Sequence, residues 1–167
     1  MSNSEVLKVI KRDGSTEYAD YNKVYRRIEN KSRDLPAIDI ELLAKKIYRQ
    51  IYDGVKTSQL DELTGELCAS LMTDIPEYGT LGSRIIISNN HKNTSPSFSE
   101  VIYILWSNKD VNGNNAPLIN DGIYRVIIKN KEKLNSVIDY SRDYNFDYFG
   151  FKTLEKSYLM KRDNKIV

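Results

Sequence analysis

Apolar residues recur at intervals of three and four through three consecutive segments of the chain, which is the spacing of helices that bury one face. We expect a helix over residues 39–52 that stops at Gly54, a helix capped by Thr57 or Ser58, and a helix with Pro76 in its first turn. Short connections between them favour antiparallel neighbours in a bundle. The apolar positions are Ile40, Leu43, Ala44, Ile47 and Ile51 in the first segment; Leu60, Leu63, Leu67, Cys68 and Leu71 in the second; and Tyr78, Leu81, Ile85 and Ile86 in the third.

A β-hairpin and one more helix precede this series. Residues 7–10 form a short β-prone run, Asp13-Gly14 is a hairpin turn signal, and residues 15–18 can return as the second strand. Asn22 can then cap a helix. Residues 1–95 are thus predicted to form an α+β, mostly α domain, in which a short β-hairpin caps a four-helix bundle.

The remainder, residues 96–167, is predicted to be a second, incomplete helical region. Helices are expected over residues 97–106 and 120–138, the latter as one or two helices, with a polar loop between them. The aromatic side chains that follow present a large area that requires a partner surface. They are Tyr140, Tyr144, Phe146, Tyr148, Phe149 and Phe151. After a short amphipathic stretch over residues 153–160, residues 161–167 look like a turn and the start of a returning strand.

Composition excludes several kinds of partner and site. The chain has 25 Lys and Arg against 23 Asp and Glu, and a formal charge of +2 creates no broad field for binding nucleic acid or an anionic membrane. One cysteine, Cys68, and one histidine, His91, exclude an internal disulfide and Cys-rich or His-rich metal sites. No stretch approaches the roughly 20 apolar residues of a membrane span, and residues 1–5 lack a signal pattern, so a cytoplasmic location is expected.

Charged residues around the predicted hairpin are the first candidates for a site. Lys11 and Arg12 come just before its turn, Glu17 comes after it, and Lys23 lies in the first turn of the next helix. Several cationic donors can converge there, as a triphosphate requires, because charge-assisted hydrogen bonds contribute about 1.5–3 kcal/mol each. A solvated basic turn is the alternative, since Lys-Arg pairs are common on protein surfaces.

Four stretches of the sequence resemble the N-terminal part of the class I ribonucleotide reductase large subunit, which begins with the allosteric nucleotide-binding module called the ATP-cone. They follow the family's order and cover nearly the whole chain. They are Val9-Ile10-Lys11-Arg12-Asp13-Gly14 with Glu17 and Tyr21-Asn22-Lys23-Val24; residues 51–63; Pro76-Glu77-Tyr78 with Leu81, Arg84, Ile85, Ser88, Asn89, His91 and Lys92; and Asp143-Tyr144 with residues 148–159. One departure is Asn22, where many relatives have Asp.

The resemblance implies a pocket under the β-cap that binds ATP as activator and dATP as inhibitor, together with Mg²⁺. The ligand-contacting positions carried over from the family fall into four groups. They are Lys11, Arg12 and Lys92 at the phosphates; Val9 and Ile10 beside the base; Glu17 and Lys23 after the turn; and Thr57 and Asp61 near the sugar and phosphate. Thr57 and Asp61 are one helical turn apart and share a face.

The resemblance also implies partners and a limit on activity. The partners are the rest of the large chain with its catalytic barrel, a homo-oligomer of large subunits, and the small radical-generating subunit. In this family the radical chemistry uses cysteines of the later barrel, so this chain alone is expected to have no catalytic residue and no turnover. Cys68, beside Leu67 and Leu71 on an apolar face, is expected to be an inert core residue.

Three alternatives stay open. A stand-alone regulator, such as the zinc-ribbon repressors that share the cone, predicts a Cys-rich ribbon before it, and residues 1–5 hold no cysteine. A degenerate cone that serves only as an oligomerisation surface would fold and ignore both nucleotides. His91 can be a phosphate contact or a cation at a polar helix end, which the helix dipole favours.

Overall fold

The computed structural model describes residues 7–167, and the expectation about residues 1–5 lies outside this range. The chain divides into two compact units. The first comprises the residues up to Asn90 together with Phe146–Phe151, and the second comprises His91–Asn145 together with Lys152–Val167. The described part is mostly helical with small sheets, as the predicted fold class requires. No helix in residues 7–167 has the length and hydropathy needed to cross a bilayer.

The first unit opens with the predicted hairpin. Strand β1 (Lys8–Ile10) pairs antiparallel with β2 (Thr16–Tyr18), and Gly14 supplies the positive φ of 83° that the turn needs. A third strand, β3 (Val55–Lys56), pairs parallel with β1 and makes the sheet order β2-β1-β3. Sequence reasoning missed β3 because a strand of two residues carries no alternation.

Four helices follow the hairpin in the first 93 residues, as predicted. They are α1 (Tyr21–Ser32), α2 (Ile40–Tyr48), α3 (Thr57–Leu71) and α4 (Glu77–Asn93). Helix α2 ends before Gly54, at Tyr48, because the chain must turn there to enter β3.

The predicted caps of two helices are wrong by one or two residues. Asp20, not Asn22, caps α1, since its carboxylate accepts from the Asn22 amide at 2.8 Å. Thr57 and Ser58 lie inside α3, whose preceding residue Lys56 donates its amide to the Gln59 side chain at 3.1 Å. The first error arises because Asp20 and Asn22 both have capping side chains and the backbone dihedral angles decide between them. The second arises because the cap of α3 is Lys56, whose side chain is not of the capping type and whose extended backbone alone marks the position.

The core of the first unit lies between the helices and under the sheet. Its largest fully buried side chains come from α1, α2 and α4, and Val55 of β3 is also fully buried. They are Ile28, Leu43, Ile47, Leu81, Ile85, Ile86 and Ile87. Cys68 is also fully buried, so the expectation that it is a core residue is confirmed.

The buried face of α3 differs from the prediction. Its centre is Asp61, Thr64, Gly65 and Cys68, while the leucines flank this line and are only partly buried. A Cβ on Gly65 would clash with Ile86 Cγ2, so glycine lets α3 lie close to α4 at this level. The leucine pattern indicated the correct side of the helix but not its centre, because small residues mark a close helix contact.

The second unit contains short elements. They are α5 (Phe98–Trp106), α6 (Asp121–Lys129), α7 (Lys131–Val137), a 3-10 helix (Tyr140–Asn145), α8 (Tyr148–Ser157, which begins in the first unit), β4 (Lys161–Arg162) and β5 (Lys165–Ile166). Residues 120–138 thus form two helices, and residues 161–166 form a closed hairpin through Asp163 and Asn164, which both have positive φ. The Trp106 ring stacks on the Tyr124 ring, with 4.1 Å between the ring centroids, and this contact joins α5 to α6. Helix α8 begins five residues earlier than the expected amphipathic stretch.

Candidate functional site

A buried carboxylate on α3 gathers two arginines from elsewhere in the first unit. Arg12, which follows β1, donates through Nη2 to Asp61 Oδ2 at 3.0 Å. Arg27 of α1 donates through Nε to the other oxygen, Oδ1. The Asp61 side chain is only 6 % exposed. The hairpin, α1 and α3 are therefore joined at one ion-paired centre.

Helix α4 joins the same centre through an amide. Asn89 accepts a hydrogen bond from Arg12 on its Oδ1 atom, and its Nδ2 donates to Glu62 Oε1 at 2.6 Å and to the Ser58 carbonyl at 3.3 Å. Asn89 itself is 2 % exposed. Because Asn89 spans α3 and α4 while holding Arg12, it sets the position of the guanidinium under the hairpin.

A second carboxylate binds two lysines at the edge of the sheet. Lys11 Nζ and Lys23 Nζ both lie 2.7 Å from Glu17 Oε2. The hydrogen bond from Lys11, followed by that from Lys23, lowers the pKa of Glu17, and the same contact raises the pKa of Lys11. The predicted convergence of cations after the turn is thus present in the structure, although their contact with a nucleotide stays a prediction.

The remaining predicted residues occupy different surroundings. Val9 is 5 % exposed and packs with Ile51 and Val55, so it belongs to the core under the sheet. Ile10 pairs with Thr16 and Lys56 at the half-buried end of β1.

Two predicted residues lie on helices. Thr57 begins α3 one turn before Asp61 and is half-buried. Lys92 lies in the last turn of α4, which belongs to the second unit, and its predicted phosphate contact is untested. His91 lies at the same helix end, where its Nε2 lies 2.7 Å from Asp143 Oδ2, and its predicted phosphate contact is likewise untested.

Sequence reasoning missed Arg27 and Glu62 as members of the site, and it noted Asn89 only as part of a motif. Arg27 follows Lys23 by four residues and so shares its helix face, which was an available signal. Nothing local indicates that Arg27 reaches a residue 34 positions away. One guanidinium nitrogen of Arg27, Nη2, is buried and has no hydrogen-bond partner among residues 7–167.

The cationic side chains of this arrangement have the chemistry that binds an anion. Lys11 and Lys23 meet at Glu17, and Arg12 and Arg27 meet at Asp61. Burial raises the pKa of the Cys68 thiol to about 12, so the thiolate is not populated near neutral pH. Within the described part of the chain, no group of three or more His, Cys, Asp or Glu side chains is arranged to hold a metal ion.

Known proteins with similar sequences also point to a nucleotide-binding module. Residues 7–93 match the ATP cone domain family. The chain is 41 % identical over 162 residues to a ribonucleoside-diphosphate reductase large subunit of Plasmodium falciparum, with 96 % of the chain and 20 % of the relative covered. It is 44 % identical over 164 residues to ribonucleoside-diphosphate reductase large chain 2 of Saccharomyces cerevisiae, with 96 % and 19 % covered. It is 46 % identical over 162 residues to the variola virus large subunit, with 95 % and 21 % covered.

The chain spans about a fifth of the length of these relatives, and the similarity extends well beyond the cone. Because the family match covers more than half of the chain and includes both carboxylate centres, the protein belongs to the ATP cone domain family, as a relative of the ribonucleoside-diphosphate reductase large subunits.

Proposed function

We propose that the first unit binds ATP and dATP as allosteric effectors of a ribonucleotide reductase large subunit. The observation that carries this proposal is the convergence of the hairpin, α1 and α3 on Glu17 and Asp61, which brings four cationic side chains together. A triphosphate requires such a cluster in a chain whose formal charge is only +2. The proposed arrangement is a four-helix bundle under a β-cap, with the nucleotide between them.

The residues fit the phosphate end of a nucleotide. Lys11 and Lys23 share one partly exposed carboxylate, and phosphate oxygens can replace that carboxylate as acceptors. Arg12 is held in place by Asp61 and Asn89, so its position is set before the ligand arrives. Mg²⁺ would arrive with the phosphates, its preferred ligands. Ile10 and Thr57 would border the base and sugar.

Discrimination between ATP and dATP requires more than this pocket. The two nucleotides differ by one hydroxyl group, and a net hydrogen bond of about 1 kcal/mol gives only about a fivefold preference. Opposite effects therefore require two states of an assembly with different packing between subunits. We infer that the partners are a homo-oligomer of large subunits, the catalytic barrel of the same polypeptide, and a small radical-generating subunit.

The stand-alone regulator is the weaker proposal. Similarity to the large subunits covers 95–96 % of this chain, which leaves room for only a few unmatched residues and therefore includes most of the second unit. A free-standing cone has no need of that region. The aromatic side chains of residues 139–151 instead support packing against the rest of a large chain, since Phe146 and Phe149 stay 44 % and 61 % exposed.

Calorimetric titration of this chain with ATP and dATP tests the proposal. We expect both nucleotides to bind, and Lys11→Ala and Arg12→Ala each to weaken binding at least tenfold, because each removes charge-assisted hydrogen bonds. Lys45→Ala on α2, which removes an exposed cation paired only with Glu41, is the matched control. Unchanged binding in both hairpin variants would contradict the site, and a folded chain that ignores both nucleotides would favour the oligomerisation surface.

A further inference from the structure

The loop between α5 and α6 contains the single Asn-Gly dipeptide of the sequence, Asn112-Gly113. Such a pair is chemically labile, because glycine carries no side chain to hinder attack by its amide nitrogen on the asparagine side chain. Both residues are exposed, and a Cβ placed on Gly113 would meet no heavy atom of the described chain within 4 Å beyond its immediate neighbours. Packing therefore leaves this pair open to solvent.

Hydrogen bonds to Asp110 nevertheless hold the backbone around the pair. Gly113 donates its amide to the Asp110 carbonyl oxygen at 3.0 Å. The Asp110 carboxylate accepts from the amides of Asn112, at 2.9 Å, and Asn114, at 2.8 Å, and also from Asn114 Nδ2 at 3.2 Å. The nitrogen that would attack is thus engaged as a donor, in a turn that one side chain organises.

The charged form of Asp110 makes these contacts. The hydrogen bond from the Asn114 backbone, followed by that from its side chain, lowers the pKa of Asp110, so the carboxylate is ionised at neutral pH. The ends of the loop are also joined, because Lys109 and Asn115 form a β-bridge. Attack by the Gly113 nitrogen requires the turn to open, so the rate of attack is proportional to the population of the open turn.

We propose that Asn112 is a site of spontaneous deamidation and that Asp110 limits its rate in the folded protein. The Gly113 nitrogen loses its proton and forms a bond to Asn112 Cγ, the Cγ–Nδ2 bond breaks, and Nδ2 leaves as ammonia with that proton. Water then adds to either carbonyl group of the cyclic imide, which opens to aspartate or isoaspartate. The site lies in the second unit, so the proposal does not depend on nucleotide binding by the first.

The product weakens its own protection. Either form adds a negative charge close in sequence to the Asp110 carboxylate, and like charges repel. Isoaspartate also places an additional carbon atom in the backbone of the turn. Deamidation is therefore expected to leave this loop more open than it was before the reaction.

Prolonged incubation of the full chain at mildly alkaline pH, followed by mass spectrometry of the tryptic peptide over residues 110–125, tests the proposal. A synthetic peptide of the same residues gives the rate without the folded turn. We expect Asn112 in the folded chain to deamidate roughly tenfold more slowly than in the peptide, the scale of one or two net hydrogen bonds. Asn114, Asn115 and Asn120 lie in the same peptide and do not precede glycine, so they are internal controls.

Variants at Asp110 identify the source of the protection. Asp110→Ala removes the side-chain acceptors and should bring the folded chain to within about threefold of the peptide rate. Asp110→Asn keeps an acceptor oxygen without the charge and should stay near the wild-type rate. Asp139→Ala, which removes an exposed carboxylate that accepts from the Ser141 amide at 3.0 Å, is the matched control and should leave the rate unaltered. Circular dichroism verifies that the variants are folded.

Each comparison can overturn the proposal. It is wrong if Asn112 in the wild type reacts as fast as in the peptide, or if the internal controls react faster than Asn112. It is also wrong if Asp110→Ala is as slow as the wild type, or if Asp110→Asn is as fast as Asp110→Ala. Isoaspartate together with aspartate at position 112 supports the imide route.

Discussion

Two carboxylates in the first unit each hold two cationic side chains, but they differ in how far they are buried. The Glu17 side chain is 25 % exposed and binds lysines that are 43 % and 60 % exposed. The Asp61 side chain is 6 % exposed and binds arginines that are 27 % and 29 % exposed. Exposed ion pairs contribute little because water competes for both partners, whereas loss of one partner of a buried pair leaves an uncompensated charge.

The comparison separates two tasks. The lysines can replace Glu17 by an anionic ligand with little loss of free energy, because exposed ion pairs are weak. The arginines on Asp61 are held by a carboxylate inside the protein, so that pair fixes the hairpin and α1 against α3. The flexible lysine ammonium groups lie at the more exposed carboxylate, and the planar arginine guanidinium groups, which favour buried ion pairs, lie at the buried one.

The largest expected effect is that of Asp61→Asn. Removing the charge leaves Arg12 and Arg27 without their anion, so we expect the free energy of opening of this unit to fall by about 3 kcal/mol. Hydrogen exchange at the α3 amides measures this opening without interference from the second unit. Asp34→Asn, which removes an exposed partner of Arg84, is the control. An equal loss in both variants would remove the distinction between buried and exposed pairs.

The next effect concerns the contact that buries Asp61. Gly65 lies one turn after Asp61, and the Cβ of Gly65→Ala would clash with Ile86 on α4. Overpacking costs about 1–3 kcal/mol and the gain in helix propensity is about 1 kcal/mol, so a net loss of about 1 kcal/mol is expected in urea unfolding.

Gly79→Ala is the control for this substitution. A Cβ there meets only the flexible Met72 side chain, at 3.1 Å, so helix propensity should dominate and stability should rise slightly. Stabilisation by Gly65→Ala as well would show that α3 and α4 are not tightly packed at this level.

A smaller effect, on ligand binding, is expected from Glu17→Gln. The substitution releases Lys11 and Lys23, so inorganic tripolyphosphate should bind about threefold more tightly, the scale of an exposed ion pair. Calorimetry measures the change. Glu41→Gln, which releases Lys45 on α2, should leave the affinity unaltered. Weaker binding in Glu17→Gln would mean that Glu17 organises the lysines instead of competing with the phosphates.

The smallest effect is a pH dependence of stability. Lys11 and Lys23 lower the pKa of Glu17 below its unfolded value of 4.5. The stabilising contribution of Glu17 is therefore complete above pH 4.5 and is lost as the pH falls through the lowered pKa of the folded state. The stability difference between wild type and Glu17→Gln should be present at pH 6 and vanish in strong acid. A difference that grows with acidity would contradict the direction of this pKa shift.

Much of this arrangement could be predicted from local sequence. The hairpin follows from Asp13-Gly14 between two β-prone runs, and the helices follow from apolar spacing, since both signals act over a few residues. The charged residues around Glu17 were also predicted, because the hairpin turn and the first turn of α1 bring them together within 12 positions. Where several capping residues stand side by side, as at Asp20 and Asn22, local sequence did not decide between them.

The sequence by itself determined the helices, the hairpin and the cations that the hairpin carries, because each depends on neighbours in the chain. Only the tertiary structure decided that β3 joins β1, that Gly65 marks the close contact with α4, and that Asp61 holds both Arg12 and Arg27. Those arginines lie 49 and 34 positions from Asp61. Contacts over such separations depend on how whole helices pack, and side-chain burial, which distinguishes the Asp61 pairs from the more exposed Glu17 pairs, exists only after they have packed.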